Sequence, residues 1–185
     1  MLYLVRAVLA LLWAGSLAVA LSPAGDLTAA SDLPGPAVVL LVLYPLLDVA
    51  ASLLDARTQR ALGNPGNVRA QLVNAVISTG TAVAVALGAG GGPAPVLRIF
   101  GVWAVLTGAI QSALAINRLR RGMRGQWPMI ISGGLSSVIG LTFVKQAAAS
   151  ELSLTGLAGY AVGGAILYLL SAARSYRARP VSVDA

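Results

Sequence analysis

The 185-residue chain contains no cysteine and no histidine. Without them no disulfide framework, thiolate nucleophile, zinc finger or histidine-ligated haem can be built. Charge is almost as scarce. Asp, Glu, Lys and Arg make up 10% of the residues, against roughly a quarter in an average soluble domain. So few charges cannot cover the surface of a water-soluble globule. What replaces them is apolar: 57% of the chain, with a mean hydropathy of +0.82. These figures define an integral membrane protein.

Bilayer hydrocarbon is about 30 Å thick, so a helix rising about 1.5 Å per residue needs roughly 20 apolar residues to cross it. Six segments qualify, over 3–21, 37–54, 70–89, 96–117, 128–146 and 154–173. The runs are continuous rather than alternating, which predicts helices and not a barrel. Pro, Gly and Asn punctuate the connections, as in Gly63-Asn64-Pro65-Gly66-Asn67 and Gly90-Gly91-Gly92-Pro93. No connection is long enough for a soluble domain, so residues 1–185 read as one all-α polytopic bundle.

The basic residues orient the bundle. Eleven of the 13 (Arg6, Arg57, Arg60, Arg69, Arg118, Arg120, Arg121, Arg124, Arg174, Arg177 and Arg179) fall at one set of span ends. The positive-inside rule makes that side cytoplasmic, with both termini there. Asp26, Asp32 and Glu151 lie on the other side, where Arg98 and Lys145 are expected to snorkel and pair with them. Beside the spans, Arg118, Arg120, Arg121 and Arg124 are expected to meet anionic lipid headgroups. That placement accounts for the net charge of +7 without a nucleic-acid partner. Twelve arginines against one lysine fit a GC-rich bacterial genome, and hence a bacterial inner membrane. Arg6, an apolar stretch and Ala18-Val19-Ala20 imitate a cleavable secretory signal. The segment is read here as a retained first helix, which keeps Arg6 with the other arginines.

Each odd span starts, and each even span ends, near arginine, so the chain divides into three hairpins, 1–2, 3–4 and 5–6. Similar segments in spans 3 and 5 (Asn74 to Thr79, Ser132 to Ser137) support parallel repeats about the membrane normal. Small residues four apart are the expected packing faces: Gly80, Ala84 and Gly88 in span 3, Ser132, Ser136 and Gly140 in span 5, Gly159 and Gly163 in span 6. The same faces could join a homo-oligomer.

The polar residues inside the spans carry the functional reading. Tyr44, Asp48, Ser52 and Asp55 recur at intervals of 4, 4 and 3 on one face of span 2, beside Pro45. Proline frees a backbone carbonyl and permits a kink. Gln71, Asn74, Ser78 and Thr81 line span 3, Thr107 and Gln111 span 4, Ser132 and Ser136 span 5. Together they predict a polar cluster inside the cytoplasmic half of the bundle. Asp48 is the only acid well inside a span, and an aspartate there costs about 2.5–3.5 kcal/mol on insertion scales. It is either a proton or cation site with Asn74 and Gln111 as neighbours, or a hydrogen-bonded strut between helices. Asp55 and Ser52 belong to the same stripe. No phosphate-cradling loop, nucleophile elbow or metal motif is present. The two acids lie about 10 Å apart along one helix with no base in sequence reach. The chain is therefore expected to be non-enzymatic and to need no cofactor or metal.

Spans 4 and 5 carry a resemblance. Gly101-Val102-Trp103 through Gln111, then Arg118-Leu119-Arg120-Arg121, Trp127 and Ile130 to Gly140, resemble the short repeat of HdeD-type membrane proteins, a six-span bacterial family named for acid resistance. The likeness covers about 45 residues clearly, while Tyr44-Pro45-Leu46-Leu47-Asp48 departs from the plainer pattern. It implies a stress-related inner-membrane protein with no catalytic residues to carry over. Two other classes stay open: a small proton-coupled transporter or channel gated near Pro45, and an assembly or scaffold subunit.

Overall fold

A computed structural model describes residues 2–25, 27–29, 31–149 and 151–177. Its six long helices are α1 (Leu2–Leu21), α2 (Gly35–Ala61), α3 (Pro65–Gly88), α4 (Pro93–Arg120), α5 (Trp127–Gln146) and α6 (Thr155–Arg177). All six are long and apolar enough to cross a membrane. The chain is thus an all-α, six-helix membrane bundle. Helices α2 and α4 run past the expected span ends at 54 and 117 because their last turns find polar partners, described below.

Local sequence sets the helix limits. Proline occupies the first turn of α2, α3, α4 and α5, where its missing N–H is unneeded and its fixed φ already suits a helix. Helices α2 and α4 stop in the same way. Gly63 (φ 67°) and Gly122 (φ 80°) take the left-handed conformation that a residue with a Cβ resists. Their turns then close with Asn64 N–H to the Gln59 carbonyl (3.0 Å) and Met123 N–H to the Arg118 carbonyl (3.1 Å).

The helices form a ring. Substantial packing follows chain order from α1 to α6 and closes where α1 meets α6. The most intimate pairs are α4–α5, α2–α3 and α1–α6, not the hairpins 1–2, 3–4 and 5–6 of the sequence grouping. The reason is visible between α4 and α5. A Cβ on Gly108 would stand 2.5 Å from the Gly133 carbonyl oxygen, and one on Gly101 2.6 Å from that of Gly140. Bare backbones touch there, and Ser136 Oγ donates across to the Ala104 carbonyl (3.0 Å) and Ser137 Oγ to that of Val105 (3.2 Å).

The expected small-residue faces of α3 and α6 behave differently. Gly80 is exposed on the outer surface, and a Cβ on Gly80, Gly159 or Gly163 would meet nothing within 4 Å. Gly88 of the same α3 face, by contrast, lies close to α4, where a Cβ would stand 3.0 Å from Ile99 Cδ1.

The two ends of the ring differ in character. At the end opposite the eleven clustered arginines, Leu17, Leu41, Val85, Leu97, Phe100 and Leu154 form a dry core, each no more than 1% exposed. A short antiparallel ladder covers that end, pairing β1 (Leu27–Thr28) with β2 (Glu151–Leu152). Leu27 and Leu152 are buried beneath it. The polar residues occupy the arginine-rich half. Asp26 lies outside the described residues. The ion pairs among the described residues are Arg6–Asp48 and Arg118–Asp55, and neither involves Arg98 or Lys145. Trp127 is exposed at the arginine-rich end, as an interfacial residue would be.

Candidate functional site

A cavity of about 420 Å³ opens among the helices, every one of which contributes lining residues, and it extends from Arg118 and Gln126 at the arginine-rich end to Gly156 in the first turn of α6. Asp48 stands in its wall, 13 residues from either end of α2, or about 20 Å of helix on each side. A charged carboxylate at that depth is costly unless protein donors or cavity water offset it. Arg6 Nη2 on α1 donates to Asp48 Oδ1 at 3.1 Å. From α3, Asn74 Nδ2 (2.6 Å) and Ser78 Oγ (2.8 Å) donate to Oδ2. All three partners are donors, the set that a carboxylate accepts.

The surroundings hold those partners in turn. Asn74 also donates to Ser52 Oγ (2.8 Å), and Trp103 Nε1 on α4 donates to Ser78 Oγ (2.9 Å). Arg6 Nη1 donates to the Tyr168 hydroxyl on α6 at 3.2 Å, with the guanidinium carbon 5.6 Å from the Tyr168 ring centroid. Tyr160 on α6 bonds Ser136 on α5 through their hydroxyls (2.6 Å). Hydrogen bonds from this one region therefore reach all six helices.

An aromatic floor separates the cavity from the dry core. Trp13 stacks on Tyr44 with centroids 4.0 Å apart, and Trp103 meets Tyr44 edge-on at 5.7 Å. Pro45 belongs to the same stretch of α2. Lacking an N–H, it leaves the Leu41 carbonyl without its in-helix donor, while one residue earlier the Leu40 carbonyl accepts Trp13 Nε1 at 2.6 Å as an additional bond from α1.

Nearer the arginine-rich end, Asp55 heads a second cluster. Arg118 Nη2 on α4 (2.7 Å) and Gln71 Nε2 on α3 (2.6 Å) donate to Asp55 Oδ2, and Gln59 Nε2 donates to Oδ1 at 3.4 Å. Gln59 Oε1 accepts from Asn67 (3.1 Å) and Asn64 (3.3 Å), and Asn117 donates to Asn67 at 3.0 Å. Arg121 donates to Asn64 at 2.6 Å. These bonds tie the ends of α2, α3 and α4 together.

The expected stripe thus assembles, with two corrections. Gln111 does not reach Asp48; its Nε2 donates to the Met129 carbonyl on α5 (3.3 Å), although it lines the same cavity. Nor do the two acids lack basic neighbours. Arg6 and Arg118, assigned from sequence to orientation and headgroups, turn inward, and the Arg118 side chain is only 11% exposed. Arg120, Arg121 and Arg124 are exposed. Gln59 and Asn67 escaped the sequence reading because each falls beyond the apolar run of its span, and Asn117 because it is the last residue of its own. No cluster of three possible metal-binding acids occurs among the described residues. Each carboxylate is already matched by an arginine, so the site offers no spare charge for a cation.

No protein-family model, curated protein or solved structure matches the chain. What it does must be argued from the cavity itself.

Proposed function

We propose that the chain is a non-enzymatic protein of the bacterial inner membrane, of the HdeD type, serving acid or envelope stress through a protonatable interior. The observation that carries this reading is a cavity running from Arg118 and Gln126 at the arginine-rich end to Asp48. With that end cytoplasmic, by the positive-inside rule, protons reach Asp48 from the cytoplasm. Protonation at Asp48 Oδ1 turns an acceptor into a donor facing a guanidinium that only donates. The Arg6–Asp48 bond then opens and loosens the arginine-side end of α1 from α2, while Trp13 still holds α1 to Tyr44 and Leu40. The other ionisable groups lining the cavity near Asp48 are Tyr44 on its own helix and Tyr160 and Tyr168 on α6. Arg120 and Arg124 serve the anionic headgroups at the same face.

Asp48→Asn keeps the shape and removes the titration. It should impair survival of acid challenge while the amount of folded protein in the membrane stays at the wild-type level. Unchanged survival removes Asp48 from the mechanism.

A second reading, a small proton-coupled transporter, is favoured by the cavity volume, which falls among those of small-molecule sites, roughly 300–1,000 Å³. A proteoliposome assay without pH-dependent uptake or leak rejects it.

A further inference from the structure

The cavity has a shape and a vacant hydrogen-bond acceptor that the acid-stress reading does not use. Along α4 its lining runs from Trp103 to Arg118, about 22 Å of helix. A volume of about 420 Å³ spread over such a length is long and narrow. Part of the α6 wall is bare backbone, beside Tyr160, Leu167 and Tyr168. Gly159 and Gly163 of α6 line the cavity, and a Cβ on either would meet nothing within 4 Å. A helix that packs against nothing at two glycines leaves a smooth apolar track.

At the arginine-rich end of this track lies Gln126, which is 7% exposed. Its Nε2 donates to the Arg124 carbonyl at 3.1 Å, which fixes the amide orientation. Its Oε1 is buried and accepts no hydrogen bond among the described residues. A buried acceptor left empty costs about 1–3 kcal/mol, so a partner for it is expected. The charges of the lining name the rest. Arg6 pairs with Asp48 and Arg118 with Asp55, leaving no net charge for a guest to balance.

From this geometry we infer that the cavity binds one neutral single-chain amphiphile, its hydroxyl or amide head donating to Gln126 Oε1 and its alkyl chain lying along Gly163 and Gly159 toward Trp103. Because the lining reaches Gln126 and Arg118 at the arginine-rich end, such a molecule can enter there from the bilayer or from the aqueous phase. This inference does not rest on the acid-stress reading, since binding needs no titration of Asp48.

Tryptophan quenching tests it directly. Trp13 and Trp103 are buried at the closed end, whereas Trp127 is exposed, so Trp127→Phe leaves only the buried pair. In nanodiscs of that variant, a long-chain alcohol brominated at its far end should quench saturably. The carboxylic acid and the primary amine of the same chain length should bind at least tenfold more weakly. Gln126→Leu should weaken the alcohol about fivefold or more. Gly163→Leu, or Gly159→Leu should the first fail to fold, should abolish saturation by filling the track.

Delivery of the alcohol in the bilayer, or of a short-chain homologue from water, distinguishes the two sources; saturation by either route supports the site. Quenching that never saturates, that survives both glycine variants, or that is as strong with the acid and the amine overturns the proposal.

Discussion

Replacing Gly108 by alanine is the most informative single perturbation of the fold. Its Cβ would sit 2.5 Å from the Gly133 carbonyl oxygen and 2.8 Å from Ser136 Cβ. Ordinary contact needs about an ångström more, and the nearest obstacle is backbone, so α4 and α5 must separate. Overpacking alone costs about 1–3 kcal/mol. Separation also stretches the bonds from Ser136 to Ala104, Ser137 to Val105 and Ser112 to Ile130. At about 0.6 kcal/mol for an average interhelical polar contact, they bring the expected loss to about 2–4 kcal/mol. Gly163→Ala is the matched control, because its Cβ meets open space. It should fall within about 0.5 kcal/mol of wild type, as substitutions away from packed features do. Reversible unfolding in mixed micelles, titrated with sodium dodecyl sulfate, measures both. Equal midpoints for the two variants would refute close packing of α4 on α5.

Three further outcomes follow from the contacts. Arg6→Met strands Asp48; breaking a buried pair costs about 3–5 kcal/mol, and the 18% and 20% exposure of these side chains brings the expected loss to about 2–3 kcal/mol in the same titration. The double variant Arg6→Met/Asp48→Leu should recover at least half of that loss, and additive losses would mean that the two residues are uncoupled. Trp13→Phe keeps the stack on Tyr44 but loses the bond to the Leu40 carbonyl, for an expected cost of about 0.5–1.5 kcal/mol. A neutral result there would mean that the Trp13–Leu40 bond adds nothing to the packing of α1 on α2. Gly63→Ala forces a side chain into the left-handed turn after α2 and should cost about 1–2 kcal/mol, with a midpoint equal to wild type counting against that cap.

The six helices were legible because lipid demands long apolar runs and because proline and glycine mark where they start and stop. The polar stripe was legible too. Tyr44, Asp48 and Asp55 share a helical face, and all three line the cavity. Their partners were harder to see. Arg6 meets Asp48 across 42 residues and Arg118 meets Asp55 across 63, separations that leave no local spacing to read. Orientation already accounted for every arginine on that side, which hid the two that turn inward. One clue was available, since Arg6 lies within its span while Arg57 and Arg60 lie beyond theirs.

The helix pairing was misjudged for a related reason. Spacing of four picked out Ser136 and Gly140, which do lie in the α4–α5 seam, but also Gly80, Gly159 and Gly163, which do not; the seam's glycines, Gly101 and Gly108 against Gly140 and Gly133, are seven apart on each helix. Seven residues is two helical turns, which is also a single face. The β1–β2 ladder joins residues far apart in the sequence through two pairs only, too few for any alternation to appear.

The central claim is that six helices ring a cavity open from the arginine-rich end, with a dry core around Leu17, Leu97 and Leu154 beside it. Because the chain has no cysteine, single cysteines can be placed without removing any. Thr107→Cys and Gly163→Cys should react with a small water-soluble thiol reagent applied at the arginine-rich face of sealed vesicles. Leu97→Cys and Leu154→Cys, in the dry core, should stay unlabelled from either side. Labelling of the core pair, or silence at both cavity positions, would contradict the account.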